Sequence, residues 1–361
     1  MTTVTMNPAD LRKAMAFAMQ AVERKNAIPI LSTILFDVKA DSVTVCGTNL
    51  DMECRATLPA TSDKNVKFCL NPRLLARVVR DARKPITLTR DDTDTITIEA
   101  DGMTLRQRDI YPAEDFPAMN LTKYEGKPFS IGEAALQVAL EAVIPSISDQ
   151  ETRYYLNGIY LHPIEGKLRA VSTDGHRLSR YDTQEEWPIA GVILHKGACK
   201  TLHRALRPQG DAVIEALAYL DADTPSLIVL TGEGWSISAK FIDGTFPDYT
   251  RAVPTDCDDI AVTLSHAALR RFPASPFMST CVAIHPEAGT LTVKLHGNSK
   301  DSEAVLPCAG KGGQFGVNLK YLLAMSRKPG VIRMEGRTAG DPFRVLTEDP
   351  AFMGVIMPMR V

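Results

Sequence analysis

Residues 34–45 read ILFDVKADSVTV, two apolar segments separated by a short polar turn. The same succession returns in residues 158–171, GIYLHPIEGKLRAV, and in residues 281–293, CVAIHPEAGTLTV. Short apolar segments on either side of a turn that contains Gly or Asp are typical of β-hairpins. The chain therefore repeats one hairpin unit three times, at intervals of about 120 residues.

Two predicted helices accompany each hairpin. Helical openings lie at Asn7-Pro8, near Ser130 and near Ser265, and second helices open at Asn71-Pro72, Lys196-Gly197 and Asn318-Leu319. Asn is a good N-cap and Pro a good first helical residue. We therefore predict an α+β protein of three similar domains, each with two helices packed on antiparallel sheets, over residues 1–122, 128–254 and 259–361.

The composition is that of a globular protein. Of 361 residues, 41 are Lys or Arg and 43 are Asp or Glu, which gives a formal charge of −2, and 45% are apolar. This excludes a disordered or collagen-like chain. No window approaches the ~18 apolar residues of a membrane span, and the polar start is unlike a signal peptide, so we expect a cytoplasmic protein. Seven cysteines without CxxC spacing indicate reduced thiols.

Positive charge is concentrated on the second helix of each domain. A solvated helix face is the ordinary interpretation of one such helix, but solvated faces mix both signs because like charges at i,i+4 repel. Three basic helices instead predict a surface that holds phosphates without reading sequence. The residues are Arg73, Arg77, Arg80 and Lys84; Lys196, Lys200, Arg204 and Arg207; and Lys320, Arg327 and Lys328, extended on the first helices by Arg12, Lys13, Arg24, Lys25, Arg270 and Arg271.

Simple geometry limits how such helices could enclose a duplex. Six helices at ~10 Å spacing give a ring of ~60 Å circumference with an opening near 10 Å, which is too small for a duplex roughly 20 Å across. Twelve helices give ~120 Å and an opening of roughly 28 Å. Two chains could therefore encircle DNA, whereas one could not.

Several motifs resemble one known family. The sequence is similar, along its whole length and in the same order, to the bacterial DNA polymerase III beta subunit, the sliding clamp. The motifs are Ile28–Leu31, Asp115–Pro117, Arg153–Gly158, Thr173–Leu178, Phe246–Tyr249 and Met357–Val361. The resemblance implies the DNA-clamp fold and a head-to-tail dimeric ring with helices inside. It also implies loading by an ATP-driven clamp loader, tethering of the DNA polymerase III alpha subunit, no catalytic site and no cofactor.

The resemblance also implies a peptide-binding pocket. Aliphatic walls with Met as an adaptable filler, and a few polar groups, suit a short peptide with Leu and Phe anchors. One side would comprise Arg153, Leu156, Thr173, Gly175, His176, Arg177, Leu178, Pro247 and Arg251. The other would comprise Phe277, Asn318, Tyr321, Val355, Ile356, Met357, Pro358, Met359 and Arg360.

Two further surfaces follow from the same resemblance. The family's DNA contacts map to Lys25, where the family usually has Arg, and to Gln150, Tyr154 and Tyr155; they add to Arg73, Arg77, Arg80, Lys196, Lys200 and Arg204. At the dimer interface, Arg106 and Arg108 occupy a closing strand that is often apolar, opposite Phe272, Asp301 and Glu303. We expect a more electrostatic interface that pairs poorly with an ordinary clamp. The helix near Ser265 is short and broken by Pro273 and Pro276, which suits a divergent second copy.

Two alternatives are set against the ring. Asp174 beside His176 is the best enzymatic candidate, but adjacent side chains diverge and no nucleophile, metal cluster or phosphate loop accompanies them. Gly232-Glu233-Gly234 precedes a strand-like segment and indicates a hairpin turn. Cys46, Cys54, Cys69 and Cys199 are expected in the core. The other alternative is a clamp-like decoy that sequesters a clamp-binding ligand or drug.

Overall fold

The computed structural model describes residues 1–23, 27–108, 111–121, 125–207, 210–221, 224–271, 278–295, 302–325 and 330–360. Its internal contacts divide the chain into two compact units. The first unit comprises residues 1–133 and 204–241, and the second comprises residues 134–203 and 242–361. The division into three domains at 1–122, 128–254 and 259–361 stays a prediction.

Six α-helices are found among the described residues. They are short, as expected of helices that are stabilised mainly by packing on sheets. Their bounds are α1 (Pro8–Ala18), α2 (Pro72–Val79), α3 (Glu133–Val143), α4 (Lys196–Ala205), α5 (His266–Leu269) and α6 (Leu319–Met325).

Apart from short 3₁₀ turns, the rest of the regular structure of the described residues is β-sheet, and every strand pair found there is antiparallel. The strands are β1 (Thr2–Met6), β2 (Ile34–Val38), β3 (Ser42–Thr48), β4 (Met52–Ser62), β5 (Val66–Leu70), β6 (Ile86–Arg90), β7 (Thr95–Ala100), β8 (Met103–Arg108), β9 (Glu125–Gly132), β10 (Gly158–Ile164), β11 (Lys167–Thr173), β12 (Arg177–Glu186), β13 (Val192–His195), β14 (Val213–Asp221), β15 (Thr224–Gly232), β16 (Trp235–Lys240), β17 (Ile260–Ser265), β18 (Met278–His285), β19 (Thr290–Leu295), β20 (Ser302–Pro307), β21 (Ala309–Lys311), β22 (Phe315–Asn318), β23 (Val331–Gly336), β24 (Phe343–Leu346) and β25 (Phe352–Ile356).

The predicted repeat of hairpins is confirmed. Leu35 on β2 faces Cys46 on β3, Leu161 on β10 faces Ala170 on β11, and Ile284 on β18 faces Leu291 on β19. The turn at residues 232–235 likewise joins β15 to β16 as a hairpin. Short apolar segments on either side of a turn were sufficient to predict these pairs.

The first unit is built on one twelve-stranded sheet. Its main path runs β8-β7-β6-β1-β4-β16-β15-β14-β9, with β3 on β4 and β2 between β3 and β5. Leu11 and Met15 of α1 and Leu75 of α2 are buried in its core beside the stacked rings of Phe36 and Phe68. The hairpin approaches α1 so closely that a Cβ at Gly47 would clash with the Ala18 carbonyl oxygen.

The second unit contains two sheets. The larger runs β13-β10-β11-β12-β25-β24-β23-β17-β21, and the smaller runs β20-β19-β18-β22. The rings of Phe315 and Phe343 stack at 4.0 Å between centroids, and Leu319 and Leu322 of α6 are fully buried in the same core. This unit carries the residues of the predicted peptide site.

The helix starts largely match their predicted caps. The Oδ1 of Asn7 accepts from the N–H of Ala9, that of Asn71 from Arg73, and that of Asn318 from Lys320. Ser265 caps α5, which is short as expected, while Pro273 and Pro276 lie outside the described residues.

The helix expected near Ser130 is found, since α3 begins at Glu133, while Ser130 itself lies in β9, which pairs with β14. Two details of the predicted helices are wrong. Lys84 lies beyond the end of α2, where the Asp101 carboxylate accepts its N–H. Arg207 lies beyond the end of α4 and donates to the carbonyl oxygen of Leu206.

None of the described helices has the length and apolar character needed to span a bilayer.

All seven cysteines are free thiols, and Cys46, Cys54, Cys69 and Cys199 are buried as expected. Burial raises the pKa of the Cys199 and Cys54 thiols to about 12. Both thiols are therefore protonated near neutrality and behave as small core residues.

Candidate functional site

The turn between β11 and β12 forms one side of the predicted peptide site. Gly175 adopts φ +88°, a conformation that favours glycine. The Asp174 Oδ1 accepts from the N–H groups of His176 and Arg177 at 2.9 and 3.0 Å, and its Oδ2 accepts from Arg177 Nε at 3.0 Å. The Asp174 carboxylate therefore stabilises the turn and orients Arg177. Because both of its oxygens are used in this way, Asp174 is poorly placed to orient the His176 imidazole for catalysis.

Arg177 connects this turn to α6. Its guanidinium carbon lies 4.3 Å from the centroid of the Tyr321 ring, a cation–π contact, and the His176 ring lies 6.5 Å from the same ring. Asn318 Oδ1 accepts from the N–H of Tyr321 at 3.3 Å at the start of α6. The structure thus brings both predicted sides of the peptide site together within the second unit.

The segment after β25 lies across the site. The N–H of Met357 donates to the His176 carbonyl at 2.9 Å, and the N–H of Met359 donates to the Gly316 carbonyl at 2.8 Å. The two Met side chains are 41% and 36% exposed. The backbone of this segment is therefore held in place while two adaptable apolar side chains face outward, as a peptide surface requires.

The remaining residues of the predicted site divide into walls and rim. Leu156, Leu178 and Val355 are buried in one apolar cluster, and Ile356 is buried in the main core of the unit. Residues that are exposed or partly exposed at the rim are Arg153, Thr173, Gly175, His176, Pro247, Arg251, Pro358 and Arg360. Phe277 lies outside the described residues.

A separate cavity lies in the second unit. It has a volume of about 280 Å³ and is lined by α3, α6, β23 and the segment before β25. Tyr181 and Asp349 are among its lining residues, and the Tyr181 hydroxyl donates to Asp349 Oδ2 at 3.1 Å. Burial, with the Asp349 charge, raises the pKa of Tyr181 to about 12. The cavity shares no residue with the predicted peptide site.

The basic faces of α2 and α4 are present on the surface. Arg73, Arg77 and Arg80 are exposed, and so are Lys200 and Arg204. Arg204 Nη1 donates to Gln20 Oε1 at 2.5 Å, which orients its guanidinium. Lys196 Nζ lies 2.9 Å from Asp149 Oδ1, and this hydrogen bond lowers the pKa of Asp149.

The structure describes only some of the other predicted DNA contacts. Tyr154 is 53% exposed and lies edge-to-face with Tyr155, with 5.8 Å between ring centroids. Gln150 is exposed beside them. Lys25, Arg24, Arg327 and Lys328 lie outside the described residues.

Arg12, which the sequence adds to the basic surface, instead binds main-chain carbonyl groups. Its Nη1 donates to the carbonyl oxygens of Val79, the last residue of α2, and of Ala82 beyond it, at 2.9 and 3.0 Å. A cation at a helix C-terminus is favourable for the helix dipole. This guanidinium is therefore a structural group of the first unit.

The predicted dimer surfaces lie at sheet edges. Arg106 and Arg108 are exposed on β8, the terminal strand of the twelve-stranded sheet. Glu303 lies on β20, the terminal strand of the four-stranded sheet. Phe272 and Asp301 lie outside the described residues. Terminal strands offer unpaired backbone groups to another chain.

Elsewhere in the described part of the chain, no three His, Cys, Asp or Glu side chains gather as they would round a metal ion.

Three other residues, His162, Arg169 and Asp182, are absent from the predicted site yet lie on β10, β11 and β12, the strands that carry it. The signal available in the sequence was the alternation of Tyr160 and His162, which places two rings on one face of a strand.

Comparison with known proteins agrees with the resemblance seen in the sequence. Family models match residues 2–120 as the N-terminal domain, and residues 130–248 as the central domain, of the DNA polymerase III beta subunit. Over 380 aligned residues the chain is 30% identical to the beta sliding clamp of Caulobacter vibrioides (strain NA1000 / CB15N), covering 99% of this chain and 100% of that protein.

Solved structures share the fold. The beta sliding clamp of C. crescentus matches with a TM-score of 0.87 at 28% identity, covering 100% of this chain and 99% of that one. A sliding clamp from Bartonella birtlesii bound to griselimycin matches with a TM-score of 0.87 at 26% identity, with both chains fully covered. With these full-length matches, the chain belongs to the family of bacterial DNA polymerase III beta subunits, the beta sliding clamps.

Proposed function

We propose that two copies of this chain close into a ring around duplex DNA and act as the non-catalytic processivity factor of a replicative polymerase. The observation that carries this proposal is the agreement in sequence and fold with beta sliding clamps over essentially the whole chain. A ring function depends on every domain of the subunit, so a match confined to one domain would not support it.

The exposed arginines of α2 support the DNA contact. Arg73 and Arg77 lie on α2, and Arg80 directly follows its last residue. Residues 72–79 contain no carboxylate, and Asp81 Oδ2 lies 3.2 Å from Arg80 Nε. A basic surface of this kind attracts phosphates without distinguishing bases, which suits a protein that slides. We propose that α2 and α4, with Gln150, Tyr154 and Tyr155, face the duplex.

The surface around Met357, Met359 and Tyr321 supports the tethering of partners. It combines exposed apolar side chains with the oriented cation of Arg177 and main-chain groups, which is the pattern of a groove for a short peptide. We propose that the DNA polymerase III alpha subunit, the clamp loader and other DNA-processing proteins dock here through short segments. The site of action would be the cytoplasm, where bacterial DNA is replicated.

One experiment tests the ring directly. The purified protein is loaded onto nicked circular DNA by a clamp loader, and the bound fraction is followed before and after the circle is cut once. We expect retention on the circle and rapid loss after linearisation, because a topological link survives salt but not a free end. Equal retention on both forms would contradict the ring.

The mass of the protein in solution is the necessary companion measurement. A ring around a duplex roughly 20 Å across requires two chains by the helix-spacing geometry. We expect sedimentation to give twice the mass of one 39.5 kDa chain at micromolar concentration. A monomer at every accessible concentration would contradict the proposal.

A further inference from the structure

The loop at residues 246–251 is held on the second unit by two aromatic anchors. Phe246 and Tyr249 are 8% and 7% exposed, whereas Pro247 and Arg251 are exposed. The anchors are three residues apart, with Tyr249 beginning a 3₁₀ turn over Tyr249–Ala252. This spacing buries both rings and presents Pro247 and Arg251, two residues of the predicted peptide site, to solvent.

The Phe246 anchor ends a stack of three rings. Phe246 lies 4.9 Å from Tyr160 with 7° between the ring planes, and Tyr160 lies 4.6 Å from His162 with 18° between planes. Tyr160 and His162 are two apart on β10, so their side chains share one face of the strand. The stack therefore lies along the strand and ends below the loop.

The Tyr249 anchor ends a row of polar side chains across the same sheet. His162 on β10 is the register partner of Arg169 on β11, and Arg169 is the register partner of Asp182 on β12. Arg169 Nε and Nη2 donate to the two carboxylate oxygens of Asp182 at 2.5 and 2.9 Å. A bidentate pair of this kind fixes the plane of the guanidinium.

The Tyr249 hydroxyl completes the row. Arg169 Nη1 lies 3.3 Å from the Tyr249 oxygen, and His162 Nε2 lies 3.0 Å from it. Since a guanidinium can only donate, the hydroxyl oxygen accepts from Arg169 and the hydroxyl hydrogen is donated to Nε2. Burial lowers the pKa of His162, which keeps the imidazole neutral and able to accept.

The same strands carry the opposite side of the predicted peptide site. β11 ends at Thr173 and β12 begins at Arg177, and the turn between them carries Gly175 and His176. Phe246 and Tyr249 also share an apolar cluster with Leu178. The anchors therefore tie the loop to the strands on which the other side is built, and so determine the distance between Pro247 and the turn.

We propose that Tyr249, His162, Arg169 and Asp182 are positioning residues that preorganise the peptide site by fixing the loop at residues 246–251. The inference rests on the proposed function, because it concerns the affinity of that same site. None of the four needs to touch the peptide. Fixing a binding loop in advance lowers the ordering cost paid on binding.

Removal of a single oxygen atom tests the proposal. Tyr249→Phe keeps the anchor ring but breaks both hydrogen bonds of the hydroxyl. We expect the Kd of a fluorescent pentapeptide with Leu and Phe anchors to rise about 5- to 20-fold, from the loss of about 1–2 kcal/mol. The change should be in the dissociation rate, because a looser loop releases the peptide sooner.

Two further variants separate positioning from folding. His162→Gln supplies an amide group near the position of Nε2 and should restore affinity to within about threefold of wild type, whereas His162→Ala should match Tyr249→Phe. Tyr181→Phe is the matched control, since it removes another partly buried hydroxyl of the same unit, one that donates to Asp349. It should lower thermal stability without changing the peptide dissociation rate.

The outcomes are distinguishable. If wild-type protein binds the peptide and Tyr249→Phe releases it at the same rate, the proposal is overturned while the proposed function stands. An equal loss of affinity in Tyr181→Phe also overturns it, because the effect would then be one of general stability. If wild-type protein binds no such peptide, the peptide part of the proposed function fails and this inference fails with it.

Discussion

The Arg12 guanidinium on α1 donates to the Val79 carbonyl at the end of α2, with 2.9 Å between Nη1 and the oxygen. A second bond from the same nitrogen reaches the Ala82 carbonyl at 3.0 Å. The last carbonyls of a helix have no partner within the helix, so a cation there satisfies them and complements the dipole. A basic residue on an otherwise basic surface can therefore serve the fold rather than the ligand.

Replacement of Arg12 by Ala should reduce stability without changing the salt dependence of DNA association. Two partly buried hydrogen bonds of the guanidinium would be lost, although the Val79 carbonyl would keep the N–H of Ala82 as a donor, so we expect a cost of about 1–3 kcal/mol in the free energy of unfolding. Urea denaturation measures the cost. Lys13→Ala, one residue away and exposed, is the matched control and should be nearly neutral. A flatter salt slope in Arg12→Ala would assign this residue to the DNA surface instead.

Removal of charge from α2 should instead change the salt dependence of DNA association. The triple change Arg73→Ala, Arg77→Ala and Arg80→Ala should weaken association with a duplex and flatten its logarithmic salt slope by about 0.9 for each phosphate that is no longer neutralised. Fluorescence anisotropy over a range of salt concentrations gives this slope. The triple change Lys39→Ala, Lys64→Ala and Lys67→Ala alters net charge equally and should leave the slope unchanged. If both triples behave alike, α2 does not face DNA.

A charge at Met359 should strongly weaken peptide binding and leave the dimer intact. Met359→Asp places a carboxylate on an apolar surface while the main-chain bond from its N–H to Gly316 remains possible. Desolvating that charge against an apolar anchor should cost at least about tenfold in Kd. Peptide titration with sedimentation on the same samples measures both effects, with Val213→Asp in the first unit as control. Undiminished peptide affinity would place the site elsewhere.

Reversal of charge on β8 should weaken the dimer. The predicted interface sets Arg106 and Arg108 against Asp301 and Glu303, so Arg106→Glu with Arg108→Glu would bring like charges together. Sedimentation equilibrium should show more monomer in this variant, and salt should weaken the wild-type dimer. Lys64→Glu with Lys67→Glu serves as control.

The same electrostatic interface should discriminate between partners. Mixed with the beta sliding clamp of a relative, the chain should form fewer heterodimers than random pairing gives, as native mass spectrometry can count. Heterodimers as abundant as homodimers would contradict an interface of this kind.

Acid should destabilise the protein partly through His162. Burial lowers the pKa of this imidazole below the value near 6.5 of an unfolded chain, so the unfolded state binds the proton first as pH falls. The contribution is therefore fully present above about pH 6.5 and is lost below it, down to the lowered pKa. Urea midpoints between pH 5 and 8 should show a smaller slope for His162→Gln than for wild type. The pKa of His266, lowered chiefly by burial, keeps part of the slope in both.

Several local features of this protein could be predicted from its sequence. The three hairpins, the Asn caps of α1, α2 and α6, and the turn at Gly175 depend on residues a few positions apart, so spacing alone indicates them. The basic face of α2 is visible for the same reason, because three arginines at helical spacing lie on one side wherever the helix is placed. The peptide site was predicted through motifs rather than spacing; the structure brings His176, Arg177 and Tyr321 together, and peptide binding there stays a prediction.

Long-range contacts decided the rest. Ser130 lies in a strand because β14 pairs with it, although its local sequence favours a helix start. Arg12 is a cap only because Val79, 67 residues later, ends its helix within reach. The link from His162 to Tyr249 spans 87 residues and requires β10, β11 and β12 in one register. A register shift of one residue would turn His162, Arg169 and Asp182 to the other face of the sheet. Sequence determined most of the local elements, and tertiary packing determined which distant side chains meet, because contact at that range depends on the placement of whole strands and helices.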